Sequence, residues 1–326
     1  MIDVKKYALA DLHLHLDGSI SIESAKALAK MQGIELCSDE ELKQKLCVSD
    51  DCRDLCEYLE KFDFPLSLLQ TREAISEAVY RLCEELLEQG LIYAEIRFAP
   101  QLHCNKGLSQ DEVVEAAIAG KNRSKLLSNF ILCCMRGEGL REKNLETVNV
   151  AKKFLGQGVG AVDLAGAEAL YSNESFFEIF DYVRENDIPF TIHAGEADGP
   201  MSVRSAIAMG ARRIGHGVRS CEDESLLCEL AEKKIALELC PTSNLNTKVF
   251  NSYKEYPIGT LIGANVLITI NTDNMSVSNT TLAKEFERLA SAYNFSKDEL
   301  ERIARTAIEV SFADDKTKEK ALSLLL

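Results

Sequence analysis

ALADLHLHL occupies residues 8–16. On a strand, alternate side chains point the same way. His13 and His15 therefore share one face, and Leu12, Leu14 and Leu16 share the other. Seven further short runs of apolar and β-branched residues follow: LIYAEIRFA (91–99), NFILCCMRG (129–137), GAVDLAG (160–166), PFTIHAG (189–195), RRIGHG (212–217), IALELCP (235–241) and VLITINTD (266–273). Helical patterns separate them. Parallel neighbours need crossover connections, so strands alternating with helices imply a parallel sheet. Eight such units predict an α/β fold, a (β/α)8 TIM barrel. A doubly wound open sheet is the alternative, weakened because no GxGxxG follows the first strand.

The helical segments carry their own punctuation. SDEE (38–41), SQDE (109–112) and SKDE (296–299) have the capping-box pattern, in which a hydroxyl takes the backbone N–H three residues on and the glutamate reaches back. TREAISEAVYRLCEELLEQG (71–90) repeats apolar residues at helical spacing and ends in Gly90, suited to the position after a helix. Residues 17–90 hold several helical segments where one would suffice, so extra helices are inserted after strand 1, where they suit a lid. Without an internal repeat or a Pro/Gly-rich linker, residues 1–326 read as a single domain.

The formal net charge of −15 opposes binding to phosphate backbones, which excludes nucleic acid as a partner. No apolar run approaches the roughly 18 residues of a membrane span, so no membrane partner is expected. MIDVKKYALADLHLH has no apolar leader core, and eleven irregularly spaced cysteines do not suggest a disulfide framework. A cytoplasmic protein with mostly buried, reduced cysteines is expected. Composition leaves the oligomeric state open.

Four of the five histidines, His13, His15, His193 and His216, fall at the C-terminal ends of strands 1, 5 and 6, and Asp273 closes strand 8. In a (β/α)8 barrel these ends converge on the face where active sites lie. His13, His15, His193 and Asp273 then form a three-nitrogen, one-carboxylate set suited to one Zn²⁺ with a position left for water. Zinc lowers the pKa of such a water to about 7. His216 is free to orient or deprotonate the water, and Glu196, in HAGE, to donate a proton to a heterocycle nitrogen. His103, in PQLHCN, reads as a surface or loop histidine.

HLHLDGS (13–19), RFAPQLH (97–103), DLAGAE (163–168), HAGEADGP (193–200), RIGHGV (213–218), CPTSN (240–244) and TINTDN (269–274) together resemble the adenosine deaminases, a zinc-dependent (β/α)8-barrel branch of the amidohydrolases. The resemblance implies hydrolytic deamination of adenosine and 2′-deoxyadenosine by attack of a zinc-activated water at purine C6. It implies one zinc on His13, His15, His193 and Asp273, with Glu196 protonating purine N1 and His216 activating the water. It further implies substrate contacts by His15, Asp17 (ribose), Gly166 (purine), Asn274 (purine N7) and, as part of an apolar gate, Phe62. Many relatives carry aspartate where this chain has Asn274. An asparagine amide donates a hydrogen bond at any pH, so the N7 contact stands.

Other readings compete. The similar adenine deaminases usually carry glutamate at the position of Asp17 and RIDHG where this chain has RIGHG (213–217), which favours the nucleoside over the free base. Strand 4 ends in VDLAG, without the lysine that many dinuclear amidohydrolases carbamylate, so one metal is favoured and hydrolysis of cyclic amides or phosphotriesters is disfavoured. Deamination of a modified adenosine shares every expected site residue. A non-catalytic metal-binding barrel would have no need of both Glu196 and His216.

Overall fold

The computed structural model describes residues 3–7, 9–49 and 52–325. Eight parallel strands run β1 (Ala10–His15), β2 (Tyr93–Phe98), β3 (Leu127–Met135), β4 (Val159–Ala165), β5 (Thr191–Ala194), β6 (Arg213–His216), β7 (Ala236–Leu239) and β8 (Ile268–Ile270). Each expected run contains or overlaps its strand; Ala8, at the start of the first run, lies outside the described residues. β1 to β4 form one sheet in sequential order and β5 to β8 another. Single parallel bridges join them, Val162 to Phe190 on one side and Leu14 to Asp273 on the other. The second seam is closed by backbone bonds: His15 N–H donates to Asp273 C=O at 2.7 Å, and Asp273 N–H donates to His13 C=O at 2.7 Å. The result is the predicted barrel, not the open sheet.

Between β1 and β2 lie α1 (Ile22–Gln32), α2 (Asp39–Leu46), α3 (Leu55–Leu59), α4 (Asp63–Leu68) and α5 (Arg72–Glu88), the expected insertion. Then α6 (Gln110–Lys121), α7 (Arg141–Phe154), α8 (Phe177–Glu185), α9 (Pro200–Met209) and α10 (Glu224–Lys233) each follow a strand in turn. The three capping boxes form, at Ser38 with Glu41, Ser109 with Glu112 and Ser296 with Glu299. Gly90 follows α5 with φ +90°, a conformation that favours glycine. Among the described residues no helix is long and apolar enough to cross a membrane. Of the eleven cysteines only five are buried; four are half-buried, and Cys56 and Cys228 are exposed. The "mostly buried" expectation is thus too strong, because several lie on helices and loops with one open side.

Inside the barrel the fold departs from the aliphatic layers common to this architecture. Leu14, Ile96, Leu164, Ile192, Ile214 and Leu237 point outward into the main apolar core. The inward positions between them hold charges. Arg97, fully buried, lies 2.9 Å from Asp163 and 2.8 Å from Glu238. Arg213 lies 2.6 Å from Glu238 and 2.5 Å from Glu95. Burial pushes the Glu238 carboxyl up, but Arg97 and Arg213 outweigh that and hold it down at about 2. This network forms the floor on which the functional site rests.

Candidate functional site

The C-terminal ends of β1, β5, β6 and β8 bring His13, His15, His193, His216, Glu196 and Asp273 together. His13 Nε2 is 3.0 Å from His193 Nε2, and His15 Nε2 is 3.3 Å from the same atom. Asp273 Oδ1 lies 3.6 Å from His13 Nε2 and 3.4 Å from His15 Nε2. One donor atom from each of the four falls within 4.8 Å of the others. Asp273 reaches this place through a positive φ of 60°, part of the turn that also closes the barrel seam.

The chemistry of this donor set fits a cation. His13 Nδ1 is 2.8 Å from Glu238 Oε2, so its proton is committed there and Nε2 offers a lone pair. His193 Nδ1 lies 2.9 Å from Asp163 Oδ2, which places a carboxylate on the side of that ring away from the cluster. Nitrogen lone pairs 3 Å apart repel unless a positive centre lies between them. Burial lowers the pKa of His13 well below the ordinary value, with Arg97 adding to the effect. Burial does the same for His15, with His193 adding to it. Neutral imidazole is the form that binds a metal.

Two groups stand beside this cluster. His216 Nε2 is 3.6 Å from Glu196 Oε2 and 4.0 Å from Asp273 Oδ2. Behind the ring, the Asn244 side-chain amide donates to His216 Nδ1 at 3.1 Å, and Tyr256 O–H donates to Asn244 Oδ1 at 3.1 Å. With the amide in this orientation, neutral His216 carries its proton on Nε2, toward the cavity. Glu196 is 4 % exposed. Burial, then the charges of Asp273 and Glu168, raise its pKa well above the usual carboxylate range, with Arg136 opposing.

Above these groups is a cavity of about 230 Å³. Its apolar walls include Leu55, Tyr58, Leu59 and Phe62 from the insertion, with Ala99, Leu102, Met135 and Ala165 from the barrel loops. Phe62 meets the His15 ring edge-on at 6.5 Å between centroids. Asp17, Gly166 and Asn274 also line the cavity. Burial raises the Asp17 carboxyl to about 6. Asn274 Oδ1 is buried without a hydrogen-bond partner. Among the described residues no lysine or arginine lines the cavity, whereas Asp17, Asp63, Glu196 and Asp273 do.

Gly18 keeps Asn274 in place by having no side chain: a Cβ there would sit 1.8 Å from Asn274 Oδ1. Gly18→Ala must displace Asn274 itself and not only its amide, since the added Cβ would also lie 2.8 Å from Asn274 Cβ. We expect kcat/KM to fall by about 10–100-fold with metal content unchanged. Steady-state kinetics beside metal analysis checks this; unaltered kinetics would show that Asn274 is not a substrate contact.

His103 lies in a loop, one of its two expected places, but not on the surface. It is 1 % exposed, in the turn Pro100–His103 after β2. Its Nδ1 donates to Leu69 C=O at 2.9 Å, tying the end of the inserted helices to the barrel. Burial lowers its pKa to about 4. A histidine in a short turn has no periodicity to betray its burial.

Sequence reasoning also overlooked Asp163, Glu238, Glu168 and Tyr58. Carboxylates at inward positions of apolar strands were a usable signal for the first two. Tyr58, buried with its O–H 2.7 Å from Ser278 Oγ, gave none.

Comparison with known proteins agrees with this geometry. The adenosine deaminase family model matches residues 8–326. An adenosine deaminase from Haemophilus ducreyi is 44% identical over 333 residues, covering 99% of this chain and 97% of its own. An N6-mAMP deaminase from Arabidopsis has a structure 26% identical, with a TM-score of 0.84, covering 98% of both chains. An amidohydrolase from Burkholderia ambifaria, solved with bound Zn, is 18% identical and shares the fold, with a TM-score of 0.87 over 99% of this chain and 91% of that one. With a donor cluster fit for a metal at the mouth of the same barrel, this chain is a hydrolytic deaminase and belongs to the adenosine deaminase family.

Proposed function

We propose that this chain, acting as one catalytic domain over residues 1–326, deaminates adenosine and 2′-deoxyadenosine to inosine and 2′-deoxyinosine with release of ammonia, in cytoplasmic purine salvage or catabolism. The observation that carries this reading is the convergence of a buried carboxyl, Glu196, and the His216 Nε2, 3.6 Å apart, beside the three-histidine, one-aspartate cluster and under an apolar slot. His13, His15, His193 and Asp273 would hold a zinc ion, which would supply a Lewis acid able to lower the pKa of a bound water to about 7.

The remaining steps belong to the chain's own groups. The apolar slot takes the flat purine and excludes bulk water. Asn274 donates to N7, Gly166 presents its backbone to the ring, and Asp17 meets the ribose, with His15 beside it. Glu196 enters protonated and gives its proton to N1 as the oxygen bonds to C6, so the π pair of the C6–N1 double bond moves to a nitrogen that is protonated. His216 orients the attacking water through Nε2. Of the two protons of the water, one restores Glu196 and the other passes to the amino group, the C6–N bond breaks, and ammonia leaves a 6-oxo purine. The cavity's carboxylates, with no cation among the described lining residues, favour a nucleoside over a nucleotide such as N6-methyl-AMP.

The test follows ammonia release from adenosine, 2′-deoxyadenosine, adenine and AMP, with chelated and zinc-restored protein in parallel. Turnover of both nucleosides, lost with the metal and regained with zinc, supports the reading. Turnover of adenine or AMP alone overturns it.

A pH dependence follows from Glu196. Its pKa is raised, so its proton is lost only as pH rises through the elevated value. Since the protonated form is the active one, kcat/KM should be level below that value and fall as pH rises through it. A profile that rises with pH across that range would contradict the role.

A further inference from the structure

Glu168 lies in the turn after β4 and is 2 % exposed. Its carboxylate gathers four consecutive backbone amides. Oε1 accepts from Gly195 N–H at 2.7 Å; Oε2 accepts from Glu196 at 3.0 Å, Ala197 at 2.7 Å and Asp198 at 3.1 Å. Oε1 also accepts from Ser202 O–H at 2.5 Å, in the first turn of α9. Successive amides converge on one anion only where the chain turns through a left-handed residue, and Gly195 has φ +70°. The same loop is held from its other end. Arg136 donates to His193 C=O at 2.7 Å and to Asn173 Oδ1 at 2.6 Å, and Asn173 donates to Ser202 C=O at 2.8 Å.

Glu196 is the second of the four amides. Its backbone is fixed at its own N–H and on both flanks, while its side chain, among the described residues, makes no hydrogen bond to protein and faces His216 at 3.6 Å. A group that must meet a substrate atom is placed by its backbone when its side chain is left free for the substrate. We infer that Glu168 is a positioning residue that sets Glu196 for proton transfer by clamping residues 195–198, an inference that rests on Glu196 being the proton donor. The charge of Glu168 adds, after burial and Asp273 and against Arg136, to keeping that proton in place.

A double-mutant cycle tests this. Glu168→Gln keeps the shape but sets an amide NH₂ against backbone donors. We expect kcat for adenosine to fall by about 10–100-fold with KM changed less than about threefold. In a Glu196→Gln background the same substitution should change kcat by less than about threefold, because its effect travels through Glu196. Equal losses in both backgrounds would make Glu168 a general stabiliser and overturn the inference. Ser202→Ala, which keeps the carboxylate and removes one of its five donors, should give a smaller loss of the same kind. Amide hydrogen exchange provides a readout independent of turnover: residues 195–198 should exchange faster in Glu168→Gln while β1 and β8 do not. Unchanged exchange there overturns the clamp. A parent chain that folds but leaves adenosine untouched overturns the functional reading instead, and the exchange measurement still decides whether the clamp exists.

Discussion

Glu196→Gln should lower kcat for adenosine by about 10²–10⁴-fold, the range for loss of a general acid, with metal content intact. The purine ring must accept an electron pair at N1 when C6 is attacked, and a buried acid meets that demand. Glutamine keeps the size of the side chain and can donate a hydrogen bond, but it has no proton to transfer. The fall in rate at high pH assigned to Glu196 should disappear with the carboxyl. Single-turnover kinetics with metal analysis checks both points. A loss below about tenfold would remove Glu196 from the chemistry and leave it a binding group.

Arg97→Leu should carry the largest cost in stability, about 3–5 kcal/mol. Arg97 bridges Asp163 and Glu238 with no exposed surface on any of the three side chains. Removing the guanidinium leaves Asp163 buried without its cation and Glu238 with only one of its two, Arg213. They are also the groups that face His193 and His13, so metal affinity should fall by about 10–100-fold as those rings lose their orientation. Denaturant unfolding of the metal-loaded and stripped forms separates the two effects. A stability change under about 1 kcal/mol would mean that water or rearrangement compensates the lost charge.

The barrel was legible in the sequence because its strands are short apolar runs bounded by glycine, proline and capping residues, and because helices fall between them. The donor cluster was legible because histidines are rare in this chain and four of five sit at strand ends. Barrel topology, not sequence proximity, then joins His13 to Asp273. The charged interior was not read. Glu95, Arg97, Arg213 and Glu238 each look like an ordinary interruption of a strand, and only closure of the sheet turns them toward one another. The same holds for Glu168, whose partners lie 27 to 34 residues away in a loop. The burial of His103 was not legible because burial of a turn residue depends on what folds over it, here the segment ending at Leu69.

The seam between β1 and β8 has a consequence for how the protein is made. Two of the four donors, His13 and His15, lie on the first sheet, and the other two, His193 and Asp273, belong to the half that emerges later from the ribosome. The first sheet can form as soon as β4 is synthesised, since chains fold from the N-terminus as they emerge, but it then holds half a metal site. The fourth donor arrives with residue 273, whose backbone also closes the ring. If the proposed metal site is right, it is completed together with the barrel, and a nascent chain stopped before β8 should retain no tightly held metal.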